Sequence, residues 1–374
     1  MKLAGIRPYI KDVHPYVAGK TIEEVKREYH LDCIIKLGSN ENPWGPYPAA
    51  VEAMRQEVTS LHTYPDNSFI QIKRQIAGVY GVDEQWVAVS HGAGGMLETL
   101  AKTFIEPGSH VLIPEYTYGL YREISRLMGG EVEQVPMTAD MRIDLQALKR
   151  RLRPETRVIW LCNPNNPTGT VVPTELLEKL LTELPEGCWL VLDEAYAEFA
   201  DDGRLPDRVE LISRELPLVS VRTFSKAYGL AGARLGYALA HPDMTRIIDT
   251  VAEPFNANRI GLAGAKATLE RELEAVTETI ATIRRQRERL QHELSDRGCS
   301  VYPSQANFIL FDTGHEADEL AEKMLRRGVI VRSAAGWGLP THIRVTVGKP
   351  EENTIFLETL DAVMRNSTEG EQNG

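Results

Sequence analysis

Lys226 stands in Thr223-Phe224-Ser225-Lys226, and Arg234 follows eight residues later; upstream lie Asn166-Pro167-Thr168-Gly169 and Asp193-Glu194-Ala195-Tyr196. Small and hydroxyl residues, not other charges, flank Lys226, so partial desolvation near a strand end would make its amine a nucleophile. Asp193 closes an apolar run, where a carboxylate can hold the proton of a heterocyclic nitrogen. Thr223, Ser225 and the Arg234 fork offer hydroxyl and charge-assisted donors to a phosphate dianion. Asn166 and Tyr196 can each donate to a phenolate oxygen. A reactive amine, a proton-holding carboxylate, an oxygen donor and an anion cradle are what pyridoxal 5'-phosphate (PLP) requires of its protein.

Each residue also has a plainer reading: a solvated lysine, a helix-capping aspartate, a turn asparagine, a core tyrosine. Only their conjunction favours the cofactor. Gly92-Ala93-Gly94-Gly95 behaves likewise. It follows a strand and opens the helical run 96–104, which leaves free backbone amides where an anion is favoured. Alone it would be an ordinary tight turn. Tyr118 follows another strand and can stack on a planar ring, although core packing explains it too.

These groups need rigid elements behind them. Residues 86–89, 110–113, 157–161 and 188–192 read as buried strands, and helices are predicted over 49–58, 68–80, 118–128 and from Pro173. Buried strands alternating with helices imply an α/β fold with a mostly parallel sheet covered on both faces, which binds ligands beyond the carboxyl ends of its strands. The candidate residues fall at those ends. A long charged helix is expected over 262–297, linking two lobes. Strands at 306–311, 329–331 and 343–347 with helices at 316–327 and 351–364 then make a smaller α+β lobe. The expected division is an N-terminal arm (1–40), a large cofactor-binding domain (41–250), a small domain (251–366) and a frayed tail (367–374).

The chain has 374 residues, 43% of them hydrophobic and 25% charged, enough for a large core and far from the disordered class. A formal charge of -11 without a basic stripe argues against nucleic acid or an anionic membrane as partner. The N-terminus lacks the apolar run of a secretion signal and no stretch is long enough to span a bilayer, so a cytoplasmic location is expected. Cys33, Cys162, Cys188 and Cys299 have no metal-binding spacing and read as buried reduced thiols. No metal site is expected.

Taken together, the Asn166-Pro-Thr-Gly, Asp193-Glu-Ala-Tyr and Ser225-Lys226 to Arg234 motifs resemble the fold-type I PLP aminotransferases over nearly the whole chain. The segments Ser39-Asn40-Glu41-Asn42-Pro43, Tyr64-Pro65-Asp66 and Gly336-Trp337-Gly338-Leu339-Pro340, followed by Ile343-Arg344-Val345-Thr346-Val347-Gly348, look like the histidinol-phosphate branch. The resemblance implies a seven-stranded-type sheet sandwiched by helices, plus a smaller α+β domain. It also implies roles: Lys226 as the Schiff-base lysine and proton carrier, Asp193 at the ring nitrogen, and Asn166 and Tyr196 at the ring oxygen. Tyr118 would stack on the ring. Gly92, Ala93 and Gly94, with Thr223, Ser225 and Arg234, would hold the phosphate. Tyr64 would reach the cofactor phosphate of a neighbouring subunit, which makes a homodimer part of the mechanism. Arg332 and Arg344 would bind the anionic ends of the substrates, with Tyr16 and Asn40 beside them.

The resulting expectation is a transaminase moving an amino group between histidinol phosphate and 2-oxoglutarate, in histidine biosynthesis. An aromatic or other amino-acid transaminase, or a PLP-dependent decarboxylase or oxidase on the same fold, would keep the cofactor contacts and change the pocket or the bond aligned with the ring. Three departures from the family pattern bear on the substrate. Gly94-Gly95 stands where an acidic pair is usual, Tyr116 replaces a proline, and Arg259 occupies a usually small or apolar place, as a pocket cation or a surface ion pair.

Overall fold

The computed structural model describes residues 5–15 and 19–371. Its strands in chain order are β1 (Ile35–Lys36), β2 (Val87–Ser90), β3 (His110–Pro114), β4 (Glu131–Val135), β5 (Thr156–Cys162), β6 (Trp189–Asp193), β7 (Leu218–Thr223), β8 (Gly236–Leu239), β9 (Ser300–Val301), β10 (Phe308–Asp312), β11 (Val329–Ile330), β12 (Arg332–Ser333) and β13 (His342–Thr346). Seven of them form the central sheet, in the order β2-β8-β7-β6-β5-β3-β4. Only β8 runs against the rest, antiparallel to both β2 and β7. The fold is therefore α/β, with a mostly parallel central sheet.

β6 and β7 are almost wholly buried; Leu190-Val191-Leu192 of β6 reads as a continuous apolar run, whereas β7 buries Ser220 and Arg222 among its Val and Leu residues and gives no such run. Because β2, β3, β5, β6 and β7 point the same way, the residues following Ser90, Pro114, Cys162, Asp193 and Thr223 emerge along one edge of the sheet. β8 starts at that same edge, at Gly236. A Cβ there would stand 2.6 Å from the Ala93 nitrogen, so glycine lets the cradle helix sit directly against the sheet.

The C-terminal part holds an antiparallel sheet, β12-β13-β10-β9, and the pair β1-β11 ties residues near the N-terminus to it. The single helix expected over 262–297 is two, Arg259–Arg271 and Leu273–Asp296, broken where Glu272 leaves helical geometry at φ -126°, ψ 8°. The continuous charged pattern hid that break. Within the second helix Arg287, 2% exposed, donates to the Phe199 carbonyl at 2.8 Å and to Asp201 Oδ1 at 2.8 Å, fixing the helix to the sheet domain. The last helix spans Pro350–Glu371, beyond the predicted end at 364. Cys162, Cys188 and Cys299 are buried free thiols, but Cys33 is exposed, since it lies in the irregular stretch just ahead of β1.

Candidate active site

A cleft of about 1220 Å³ opens at the carboxyl edge of the sheet, where the arginines of β12 and β13 face the strand ends. Lys226 sits at its floor, three residues past β7. Its Nζ donates to the Ser39 carbonyl at 3.1 Å and stands 5.6 Å from the centroid of the Tyr196 ring. The side chain is only partly exposed, and burial together with the Arg344 cation pulls the amine down to about 8, against the pull of Glu41. A lysine so placed is available as a neutral nucleophile near neutral pH.

Asp193 ends β6 and is 4% exposed. Burial pushes its carboxyl up to about 6, opposed by the two donors it accepts, the Tyr121 hydroxyl at 2.7 Å and the Ala195 N–H at 3.1 Å. The second contact is a local turn bond; the helical turn that follows, Ala197–Phe199, begins at Tyr196 with no side-chain cap, so Asp193 does not cap it. The Ala195 bond occupies Oδ1 alone and coexists with an anion facing the cleft.

Tyr196, next to Asp193 along the cleft wall, is buried edge-on against Phe308, and burial raises its hydroxyl far above the ordinary range. The hydroxyl accepts Asn40 Nδ2 at 3.2 Å. Asn40 itself has φ +54° and is locked by Thr346, whose Oγ1 accepts its N–H at 2.9 Å, and by Asn307, which donates to its carbonyl at 3.2 Å. Such a left-handed asparagine carries strain that the surrounding bonds must hold. Asn166 accepts Arg344 Nη1 on Oδ1 at 2.5 Å, so its NH2 group is what remains to donate.

The candidate anion cradle lines the same cleft. The helix Gly92–Phe104 begins at Gly92 itself, four residues before the predicted run, and its first turn has no side-chain cap. Gly92 adopts φ +74°, and a Cβ on it would come within 2.7 Å of Arg234 Nη2. Across from it Arg234 donates to Ser225 Oγ at 3.4 Å, and Ser225 Oγ accepts the Thr223 hydroxyl at 2.9 Å. Uncapped amides, two hydroxyls and a guanidinium thus converge, the donor set a phosphate dianion needs. With the Lys226 amine and the Asp193 carboxylate lining the same cleft as these donors, the residues fit a phosphorylated aldehyde with a protonated ring.

Arg332 and Arg344 are directly opposite each other in the β12-β13 register, so their side chains leave the same face. Trp337 stands beside both, its ring centroid 5.7 Å from the Arg332 guanidinium carbon and 5.5 Å from that of Arg344. Arg344 is 6% exposed and donates Nη2 to the Gly38 carbonyl at 2.7 Å.

Tyr118 and Asn40 also line the cleft. Tyr64 does not: it is 77% exposed and stacks on Phe255, with ring centroids 4.5 Å apart. Tyr16 lies outside the described residues. Arg259 is an ion pair with Glu57 at 2.5 Å and holds the Tyr64 carbonyl at 3.1 Å, well away from the cleft. Tyr116 lines the cleft and packs in a small apolar cluster with Trp337 and Tyr302. The side chain sequence reasoning passed over is Tyr121; its only signal was a three-residue spacing from Tyr118 in a predicted helix over 118–128, but the helix is Leu120–Leu127 and Tyr118 lies just ahead of it.

A family model described as aminotransferase class I and II matches residues 32–360. A histidinol-phosphate aminotransferase of Symbiobacterium thermophilum is 38% identical over 97% of this chain and 99% of its own length. Histidinol-phosphate aminotransferase 2 of Pseudomonas fluorescens is also 38% identical, over 97% and 98%. The crystal structure of histidinol-phosphate aminotransferase from Sinorhizobium meliloti, in complex with pyridoxal-5'-phosphate, superposes with a TM-score of 0.88 at 30% identity, covering 97% of this chain and 98% of that one. With a family match across most of its length and the lysine, carboxylate and cradle in mutual register, this chain belongs to the class I and II aminotransferases.

Proposed function

We propose that this chain is a PLP-dependent transaminase exchanging an amino group between histidinol phosphate and 2-oxoglutarate. One observation carries the substrate class: two arginines face each other across β12-β13 at the mouth of the cleft, Arg332 and Arg344. A single pocket that takes a phosphate monoester in one half-reaction and a dicarboxylate in the other has to reuse its cations. The likeness to histidinol-phosphate aminotransferases supports the same substrate.

PLP held here supplies an electron sink for negative charge at the substrate α-carbon. Lys226 would hold the cofactor through its amine and would move a proton between the substrate α-carbon and the cofactor; an amine at about 8 suits both taking and giving that proton. Asp193 keeps the ring nitrogen protonated. Asn166 and Tyr196 donate to the ring oxygen, and Tyr118 packs on the ring face. Gly92, Ala93, Gly94, Thr223, Ser225 and Arg234 bind the phosphate. Arg344 takes the substrate carboxylate, Arg332 the distal anion, and Asn40 fixes the Tyr196 hydroxyl.

The protein acts in this reading as a cytoplasmic homodimer, a large domain at 41–250 beside a small one at 251–366, with Tyr64 completing the partner's site. Its exposed aromatic pair with Phe255 and the clamp of Arg259 on its carbonyl support such a reach. Mixing Lys226→Ala with Tyr64→Ala protomers tests it: a shared site restores about a quarter of the wild-type sites in the mixture. No recovery places Tyr64 outside the partner's chemistry.

The substrate is tested by kcat/KM for histidinol phosphate, phenylalanine, tyrosine, arginine and phosphothreonine, each with 2-oxoglutarate. Histidinol phosphate should rank first. Release of CO2 or consumption of O2 would move the reaction to a decarboxylase or an oxidase.

A further inference from the structure

Tyr121 is a buried acid with no part in the chemistry above, and its hydroxyl is aimed at the one carboxylate that matters. It is 0% exposed, and it donates to Asp193 Oδ2 at 2.7 Å. The ring is pinned on two sides. Its plane is parallel to Trp160, with an interplanar angle of 1° and centroids 5.7 Å apart, and Tyr118 meets it edge-on at 5.6 Å and 89°. Trp160 is itself fixed, because its indole N–H donates at 3.1 Å to Ser125 Oγ, one helical turn beyond Tyr121 on the helix Leu120–Leu127. Trp160 lies on β5 and Asp193 on the adjacent β6, so one sheet surface sets both the ring and its acceptor.

We propose that Tyr121 is a positioning residue for Asp193, holding its carboxylate in one orientation and as an anion so that the ring nitrogen of the cofactor keeps its proton. The inference rests on the PLP reading of the site. A carboxylate this buried is costly unless donors satisfy it. Ala195 N–H supplies one donor to Oδ1, Tyr121 supplies the other to Oδ2, and the neighbouring Glu194 carboxylate works against the charge. Cys162, whose thiol lies beside the pair, donates instead to the Pro164 carbonyl at 3.2 Å. Without the Tyr121 donor Asp193 becomes the stronger base, and the proton shared with the ring nitrogen moves from nitrogen to carboxylate oxygen. A purely space-filling tyrosine would give no such transfer.

Tyr121→Phe removes the hydroxyl and keeps the stacked ring. The readout is the 15N chemical shift of ring-labelled PLP bound to the protein, with Asp193→Asn as the reference for a lost carboxylate. Wild type should give a protonated ring nitrogen. The Phe variant should shift toward the unprotonated pyridine value and hold PLP about tenfold more weakly, as loss of a hydrogen bond to a charged group implies, with an unchanged denaturation midpoint of the helix and sheet. A Phe variant with the wild-type shift and retention overturns the proposal. If the Phe variant does not fold, Tyr121→His, which keeps a ring donor, takes its place: it should retain the protonated signal, and a shift as far as that of Asp193→Asn overturns the proposal. A wild-type protein that binds no PLP would refute the cofactor reading, which is a distinct outcome.

Discussion

Replacing Arg344 by lysine keeps a cation in the cleft but removes the fork. Nη1 is committed to Asn166 at 2.5 Å and Nη2 to the Gly38 carbonyl at 2.7 Å, so the guanidinium is anchored at the cleft wall, where the proposed role is to bind a substrate carboxylate. A lysine ammonium cannot span both anchors and the anion together. Losing one hydrogen bond to a charged group costs about 1.5–3 kcal/mol, or roughly 10- to 150-fold in kcat/KM. Arg344→Gln removes the charge as well and strands the anion, about 3–5 kcal/mol or on the order of 10² to 10⁴ in kcat/KM. The assay is steady-state kinetics with each amino donor, alongside PLP content to show that the site is loaded. The ordering wild type, Lys, Gln is the expected result. An Arg344→Lys enzyme within about twofold of wild type would refute bidentate anion recognition by this residue.

Capture of PLP by the cofactor-free protein should speed up as pH rises and level off above about 8, because the lowered amine of Lys226 must lose its proton to react; a rise continuing toward 10.5 would contradict the buried, cation-flanked environment. Arg344→Gln should move that midpoint upward, since a repelling cation is gone. Gly236→Ala drives a Cβ into the backbone of Gly92 and Ala93 and should lower stability by about 1–3 kcal/mol while weakening PLP retention, read by denaturant midpoint and cofactor titration. Glu194→Ala leaves Arg208, 2.6 Å away, and the buried Arg222 without their shared anion, and should cost about 3–5 kcal/mol in denaturant unfolding.

The end of β6 was legible because function and fold coincide there: Asp193 closes a run of buried apolar residues, so the switch from apolar to polar marks both the end of a strand and a site residue, whereas β7 ahead of Thr223 buries Ser220 and Arg222 and shows no such switch. Other elements were hidden by the same logic. β4 puts Glu131 and Glu133 on one face, Gln134 beside Val132 on the other, and buries only Val135 fully, so an edge strand carried too little apolar signal to be read. β8 is four residues long and runs against its neighbours, a reversal that local pattern cannot encode. Gly92 to Gly95 read as a turn because glycine is a poor helix former, yet Gly92 is needed where Arg234 approaches it, and tertiary contact overrides propensity. Arg259 was visible as an unexpected charge, but its partners at the start of the helix Arg259–Arg271, Glu57 and the Tyr64 carbonyl, are distant in sequence. Tyr121 shows the limit most clearly: a tyrosine in an amphipathic helix is indistinguishable from core until Asp193 appears beside it.

Lys226 is the amine proposed to hold the cofactor in the cleft that Asp193 lines. Borohydride reduction of the PLP-loaded protein, followed by proteolysis and mass spectrometry, would identify it. The added pyridoxyl mass should fall on the peptide containing Lys226, and Lys226→Ala should take none up at the site; a label on another lysine, or undiminished labelling of the Lys226→Ala protein, would contradict the account.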